Sequence, residues 1–237
     1  MDPEATLDQI DVNGDIAETH HDAMESLDSG DTRLSFLKKA GLAGGAVMGS
    51  GALMAALTPA GAMAASGKGR PPASFGKGDI GILNYALTLE YLEAAFYNEC
   101  TKNKVAKGAQ ESAFLKTATA DENAHVAFLK KALGSKATSA PKVDFGDATS
   151  KAKWIPTSFA LENTGVHAYS GQALNIATPA YVAAAISILT IEARHASVAG
   201  LILSGKPSGL TPDGAFDTPF TAAKVLKAVE KTGFLVK

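Results

Sequence analysis

From about residue 79 the chain settles into a regular pattern. Apolar residues recur every three or four positions over long stretches, separated by breaks rich in Gly, Pro and Ser. That period marks one face of an α-helix. It predicts four long helices, over 79–100, 110–133, 156–175 and 179–204. Asp79 reads as an N-cap of the first. Pro179 suits the first turn of the fourth, which stops before Gly205. A shorter helix is expected over 219–231. No stretch alternates with the two-residue period of a strand. The fold class that follows is all-α: an antiparallel four-helix bundle with a short C-terminal helical extension.

Each apolar stripe is interrupted by a residue that resists burial. The first runs Leu83, Leu87, Glu90, Ala94, and the second Leu115, Ala118, Glu122, His125, Leu129. The third runs Phe159, Glu162, Val166, Tyr169, and the fourth Ala185, Ile188, Glu192, His195, Ala199. Four carboxylates aimed into one core repel one another and are costly to desolvate. Two divalent cations would cancel their charge, and the two imidazoles would complete a ligand set. One Glu from each of two helices, plus Glu-x-x-His from each of the other two, is the ligand pattern of di-iron and di-manganese bundles. Carboxylate with imidazole suits iron or manganese, and zinc is compatible.

The spacing is specific. With 11 Glu and 5 His in the chain, composition alone predicts fewer than one Glu-x-x-His, yet three occur. Glu18/His21 lies in a polar tail with no apolar stripe and is set aside. The other two lie on inward faces. Successive glutamates are 32, 40 and 30 residues apart, near one helix and one connection each. Glu93, one turn after Glu90, either reaches the ions or supports a residue that does. Tyr97 and Tyr169 read as core residues with hydrogen-bonded hydroxyls, and Tyr97 alternatively as a hydroxyl donor to a ligand carboxylate across the bundle. His167 lies about 140° around the helix from Glu162 and is left out of the ligand set. Trp154 is expected to pack at the start of the third helix, Cys100 to be a buried free thiol, and Glu99 to be a solvated charge.

Charge and composition extend the picture to the rest of the 237 residues. The net charge is −2, but residues 1–32 hold ten acidic residues and no Lys or Arg. Residues 1–31 therefore read as a disordered acidic tail. Residues 32–65 read as an export segment. Arg33, Lys38 and Lys39 precede a Gly-rich apolar run, and Ala62-Met63-Ala64 offers a cleavage site. The run Thr32-Arg33-Leu34-Ser35-Phe36-Leu37-Lys38 resembles the twin-arginine export consensus, with Leu34 in place of the second arginine. The expected location is periplasmic or extracellular, with a membrane anchor by an uncleaved segment as the alternative. Residues 66–77 read as a linker, 78–205 as the bundle and 206–237 as the extension. A single cysteine excludes an internal disulfide and a cysteine zinc site. The basic residues beyond 65 are too few and scattered for nucleic-acid binding.

Four segments carry a family resemblance: LNYALTLEYLEAAFYNE, DENAHVAFLKKAL, ALENTGVHAYSGQA and LTIEARHASVAG. Over residues 78–204 they resemble the ferritin-like domain family of exported bacterial proteins, which includes plant and fungal desiccation-related proteins. The resemblance implies a ferritin-like four-helix bundle. It implies a metal site of Glu90, Glu122, His125, Glu162, Glu192 and His195, with Tyr97 seven residues after the first ligand. Two iron ions are the expected cofactor, with manganese as the alternative. The implied activity is Fe(II) oxidation or reduction of O2 or peroxide in a stress-protective role. Metal ions and O2 or peroxide are then the partners, and a homo-oligomer the candidate assembly. A non-catalytic stress protein and an envelope metal-binding module are the other readings.

Overall fold

The computed structural model describes residues 69–236. The acidic tail, the export segment and the start of the linker lie outside the described residues. Four long helices form: α1 (Gly78–Lys102), α2 (Gly108–Leu133), α3 (Trp154–Gln172) and α4 (Pro179–Ser204). A fifth, α5 (Ala222–Thr232), follows. Among the described residues there is no strand; Val143 and Leu235 make one isolated antiparallel bridge. The all-α class read from the pattern is the one observed.

Helix ends follow their local chemistry. Gly134 and Gly205 end α2 and α4 at φ of 56° and 64°, the left-handed region that glycine enters without strain. Thr221 caps α5 by accepting from the Lys224 N–H at 3.2 Å. Asp79 departs from expectation. It sits inside the first turn of α1, and its two oxygens accept from the backbone N–H groups of Ala177 and Thr178, at 2.9 Å each. The carboxylate serves the approach to α4 rather than its own helix. Residues 69–77, expected as a linker, run against the bundle. Arg70 donates to the Asn175 carbonyl at 2.7 Å, and Gln172 donates to the Gly69 carbonyl at 2.8 Å.

α1 packs along α2 and α3 along α4; α1 also meets α3, and α2 meets α4 more sparsely. Short connections make α1–α2 and α3–α4 antiparallel hairpins. Tyr97 reaches Glu162 while Tyr169 reaches Glu90, so α1 and α3 are antiparallel too. α2 and α3 must then point the same way. The chain between them has to return along the length of the bundle, about 39 Å for the 26 residues of α2. Residues 134–153 make that crossing, which explains why the middle ligand spacing is the longest.

The crossing is anchored at Glu99, which accepts from the Thr149 hydroxyl at 2.8 Å. Glu99 is half-buried, not the solvated charge its position suggested. Trp154 is buried at the start of α3 and stacks on Phe114 at 6.0 Å. Cys100 is a buried free thiol. The tail after α4 lies on α3: Phe220 donates its N–H to the His167 carbonyl at 3.0 Å, and Val225 and Val229 are buried. His167 stacks on the Phe220 ring at 4.1 Å, so it serves the tail.

Two apolar clusters fill the bundle ends. One gathers Leu92, Phe96, Phe114, Trp154 and Val225. The other gathers Leu83, Leu87, Leu129, Ile176 and Ile188. The polar stripe lies between them.

Candidate metal centre

The helix period delivers all six sequence-derived residues to one place. Glu90, Glu122, Glu162 and Glu192 have no exposed surface at all, and His125 and His195 are buried. α1 supplies Glu90, α2 supplies Glu122 and His125, α3 supplies Glu162, and α4 supplies Glu192 and His195. The i, i+3 spacing keeps each Glu-x-x-His pair on one helix face.

The side chains form two linked groups. Around His125 Nδ1 stand Glu122 Oε2 at 3.1 Å, Glu90 Oε2 at 3.2 Å and Glu192 Oε1 at 3.4 Å. Around His195 Nδ1 stand Glu122 Oε1 at 3.0 Å and Glu162 Oε2 at 3.3 Å. Glu122 thus turns one oxygen to each imidazole. Glu93, also buried, groups with Glu162 and Glu192, with one oxygen of each within 4.8 Å of the others.

Two tyrosines tie the carboxylates across the bundle. Tyr97 of α1 donates to Glu162 Oε1. Tyr169 of α3 donates to Glu90 Oε1 at 2.5 Å. Tyr169 is thus a core residue with a hydrogen-bonded hydroxyl, as expected, and its acceptor is a candidate ligand; it shares the seven-residue spacing from Glu162 that Tyr97 has from Glu90. Asp121 was not identified from sequence. Its Oδ2 lies 3.1 Å from His195 Nε2, the ring nitrogen turned away from the cluster. That contact joins α2 to α4, and no local spacing announces it. A groove between α2 and α4, lined by Thr117, Asp121, Ile191, Arg194 and His195, opens this side to solvent.

The electrostatics are those of an unbalanced anionic core. Burial, and then the Glu122 charge, push Glu90 up to about 8. Burial, and then the neighbouring carboxylates, push Glu93 and Glu192 well above the usual carboxylate range. Burial also drives Glu122 upward, but the His125 and His195 imidazoles close against its two oxygens outweigh it and hold Glu122 at about 2. Burial disfavours charge on the imidazoles, yet their glutamate partners keep His125 up at about 12 and His195 at about 11. Desolvation, and then a carboxylate neighbour, raise both tyrosines far above their ordinary value.

The donor set fits cations. Five glutamates bring ten carboxylate oxygens, faced by two tyrosine hydroxyls and two imidazole nitrogens. Glu93 Oε2 and Glu192 Oε2 are buried without a partner, and Glu122 Oε1, Glu162 Oε2 and Glu192 Oε1 have only a histidine Nδ1 beside them, at 3.0–3.4 Å and out of line for a hydrogen bond. Buried acceptors left unpaired are costly. A metal ion satisfies several at once, and these residue types suit iron or manganese.

Comparison with known families agrees with this geometry. A family model described as a ferritin-like domain matches residues 78–204. The chain belongs to the ferritin-like domain family. A search of curated proteins gave no match.

Proposed function

We propose that the chain is an exported, ferritin-like di-metal carboxylate protein that oxidises Fe(II) or reduces O2 or peroxide in a stress-protective role. The observation that carries the reading is the convergence of fully buried glutamate oxygens, some without any partner, around two imidazole nitrogens. Glu90 and His125 would hold one ion, Glu162 and His195 the other, and Glu122 and Glu192 would be shared. Iron or manganese held there supplies one-electron redox chemistry toward O2 or peroxide.

The protein's own residues set the conditions for that chemistry. Tyr97 and Tyr169 fix the orientation of Glu162 and Glu90. Asp121 fixes the His195 ring, leaving Nδ1 turned to the cluster. Phe114 and the two apolar clusters keep bulk water from the carboxylates. The groove beside Asp121 and Arg194 offers ions and small oxidants a path from solvent. Export is supported by the basic, apolar and small-residue sequence of 32–65, and cleavage near Ala64 would release residues 66–237. N-terminal sequencing of protein recovered from its native compartment tests that part.

Metal content of the purified protein tests the centre, measured beside Glu122→Ala and His195→Ala. Near two iron or manganese ions per chain, lost in both variants, is the expected result. A folded wild-type protein that refuses both Fe(II) and Mn(II) on titration would leave a non-catalytic stress protein in its place.

A further inference from the structure

The two hairpins repeat one another. Glu90 and Tyr97 on α1 correspond to Glu162 and Tyr169 on α3. Glu122 and His125 on α2 correspond to Glu192 and His195 on α4. The correspondence fails at Asp121, where the other half has Ile191, and at a position nearer the centre. Glu93 lies three residues after Glu90, and Gly165 lies three residues after Glu162. One half carries a carboxylate where the other carries no side chain.

The structure shows that the two differences belong together. A Cβ on Gly165 would stand 2.5 Å from Glu192 Oε2, so that carboxylate would have to move, and 3.4 Å from Glu93 Oε1. Glycine there leaves room for Glu192 and brings the Glu93 carboxylate against the α3 backbone. Glu93 is 3% exposed, and its Oε2 has no hydrogen-bond partner. Its carboxylate groups with Glu162, which stands by His195, and with Glu192, which stands by His125. Glu162 is the carboxylate that the Glu90–His125 group lacks, so from α1 Glu93 reaches across the bundle to α3 and the Glu162–His195 side.

We infer that Glu93 is an additional ligand to the Glu162–His195 metal position, and that it makes the two positions chemically unequal. The inference rests on the di-metal reading. The Glu90–His125 position has Glu90 to itself and shares Glu122 and Glu192. The other has Glu162 and Glu93 to itself and shares the same pair. It therefore binds a given cation more tightly. Five carboxylates also exceed the charge of two divalent ions, which favours a trivalent ion on the His195 side.

Calorimetric titration of the metal-free protein with Mn(II) tests this. The wild type should bind two equivalents in two separate steps. Glu93→Gln, close in shape but uncharged, should weaken the tighter step by at least about tenfold and leave the weaker step unchanged, so that the two merge. Single-histidine backgrounds assign the position. Glu93→Gln should keep its full effect in His125→Ala and lose it in His195→Ala. Helicity and the thermal midpoint of the metal-free variant check the fold. Burial and the neighbouring carboxylates keep Glu93 protonated in the metal-free fold, so the uncharged glutamine of like shape should hold that midpoint. Unchanged affinity at both steps, equal weakening of both, or a Glu93 effect that persists in His195→Ala would each overturn the inference. A wild type that binds no Mn(II) and no Fe(II) would instead overturn the di-metal reading beneath it.

Discussion

Tyr169 on α3 donates its hydroxyl to Glu90 on α1 at 2.5 Å, and both residues are buried. The bond spans two helices from different hairpins, and Tyr97 with Glu162 makes its counterpart. Replacing Tyr169 by Phe keeps the ring and removes only the donor. Glu90 Oε1 is then left unpaired in the core. We expect a loss of about 1–3 kcal/mol in the metal-free protein, measured by chemical unfolding. In the metal-loaded protein the loss should be smaller if an ion takes up the freed oxygen, and Tyr97→Phe should behave alike. Equal losses with and without metal would separate these tyrosines from the ions.

Metal removal should make stability depend on pH in a definite direction. Glu90 is held up at about 8 in the fold, against an ordinary 4.5. The folded state therefore binds a proton that the unfolded state has released, and the resulting stability is lost as pH rises from about 4.5 to 8. Glu93, Glu162 and Glu192 shift in the same direction. His125, raised from 6.5 to about 12, stabilises fully below 6.5 and loses its contribution above it. Glu122, held at about 2, acts oppositely, but its contribution is lost only as pH falls from about 4.5 toward 2. The thermal midpoint of the metal-free protein should thus fall between pH 5.5 and 8.5. Metal binding displaces these protons, so the midpoint gained on adding Mn(II) should grow over the same interval.

Asp121 is partly exposed, and its Oδ2 meets His195 Nε2 at 3.1 Å. Asp121→Asn removes the charge that orients the ring while keeping a polar group in place. Metal affinity should fall roughly 10–100-fold with little change in unfolding free energy. Titration with Mn(II) beside a denaturant curve separates the two quantities.

Gly171 marks where the tail lies on α3. A Cβ there would stand 1.8 Å from the Phe220 carbonyl oxygen. Gly171→Ala should displace the tail from α3, at a cost of about 1–3 kcal/mol. Trypsin should then cut faster at Lys224 and Lys227, while the metal content stays at the wild-type level.

The bundle was legible because a 3.6-residue period survives any tertiary detail. The six residues of the centre were legible because carboxylates on apolar stripes demand compensation. What escaped was set by contacts between distant segments. Asp79 looks like an N-cap until the approach to α4 passes above it. Glu99 looks solvated until the crossing chain brings Thr149 to it. Asp121 looks like a surface charge until α4 places His195 opposite. Tyr169 sits between these cases. Its spacing from Glu162 was visible, but its partner on α1 depended on the antiparallel pairing of α1 with α3. The crossing itself was hinted at only by the longest interval between ligand glutamates.

The sparse seam between α2 and α4 gives the site a role in time as well as in chemistry. Each hairpin is built from near-neighbour contacts and should form quickly. The residues around each imidazole come from both hairpins, so an ion held there would rivet one to the other. Such a rivet would form late in folding, after the hairpins meet. Interactions that form late slow unfolding far more than they speed folding. The loaded protein should therefore owe its endurance to a long native half-life, and a chelator should shorten that half-life before it visibly changes the fold.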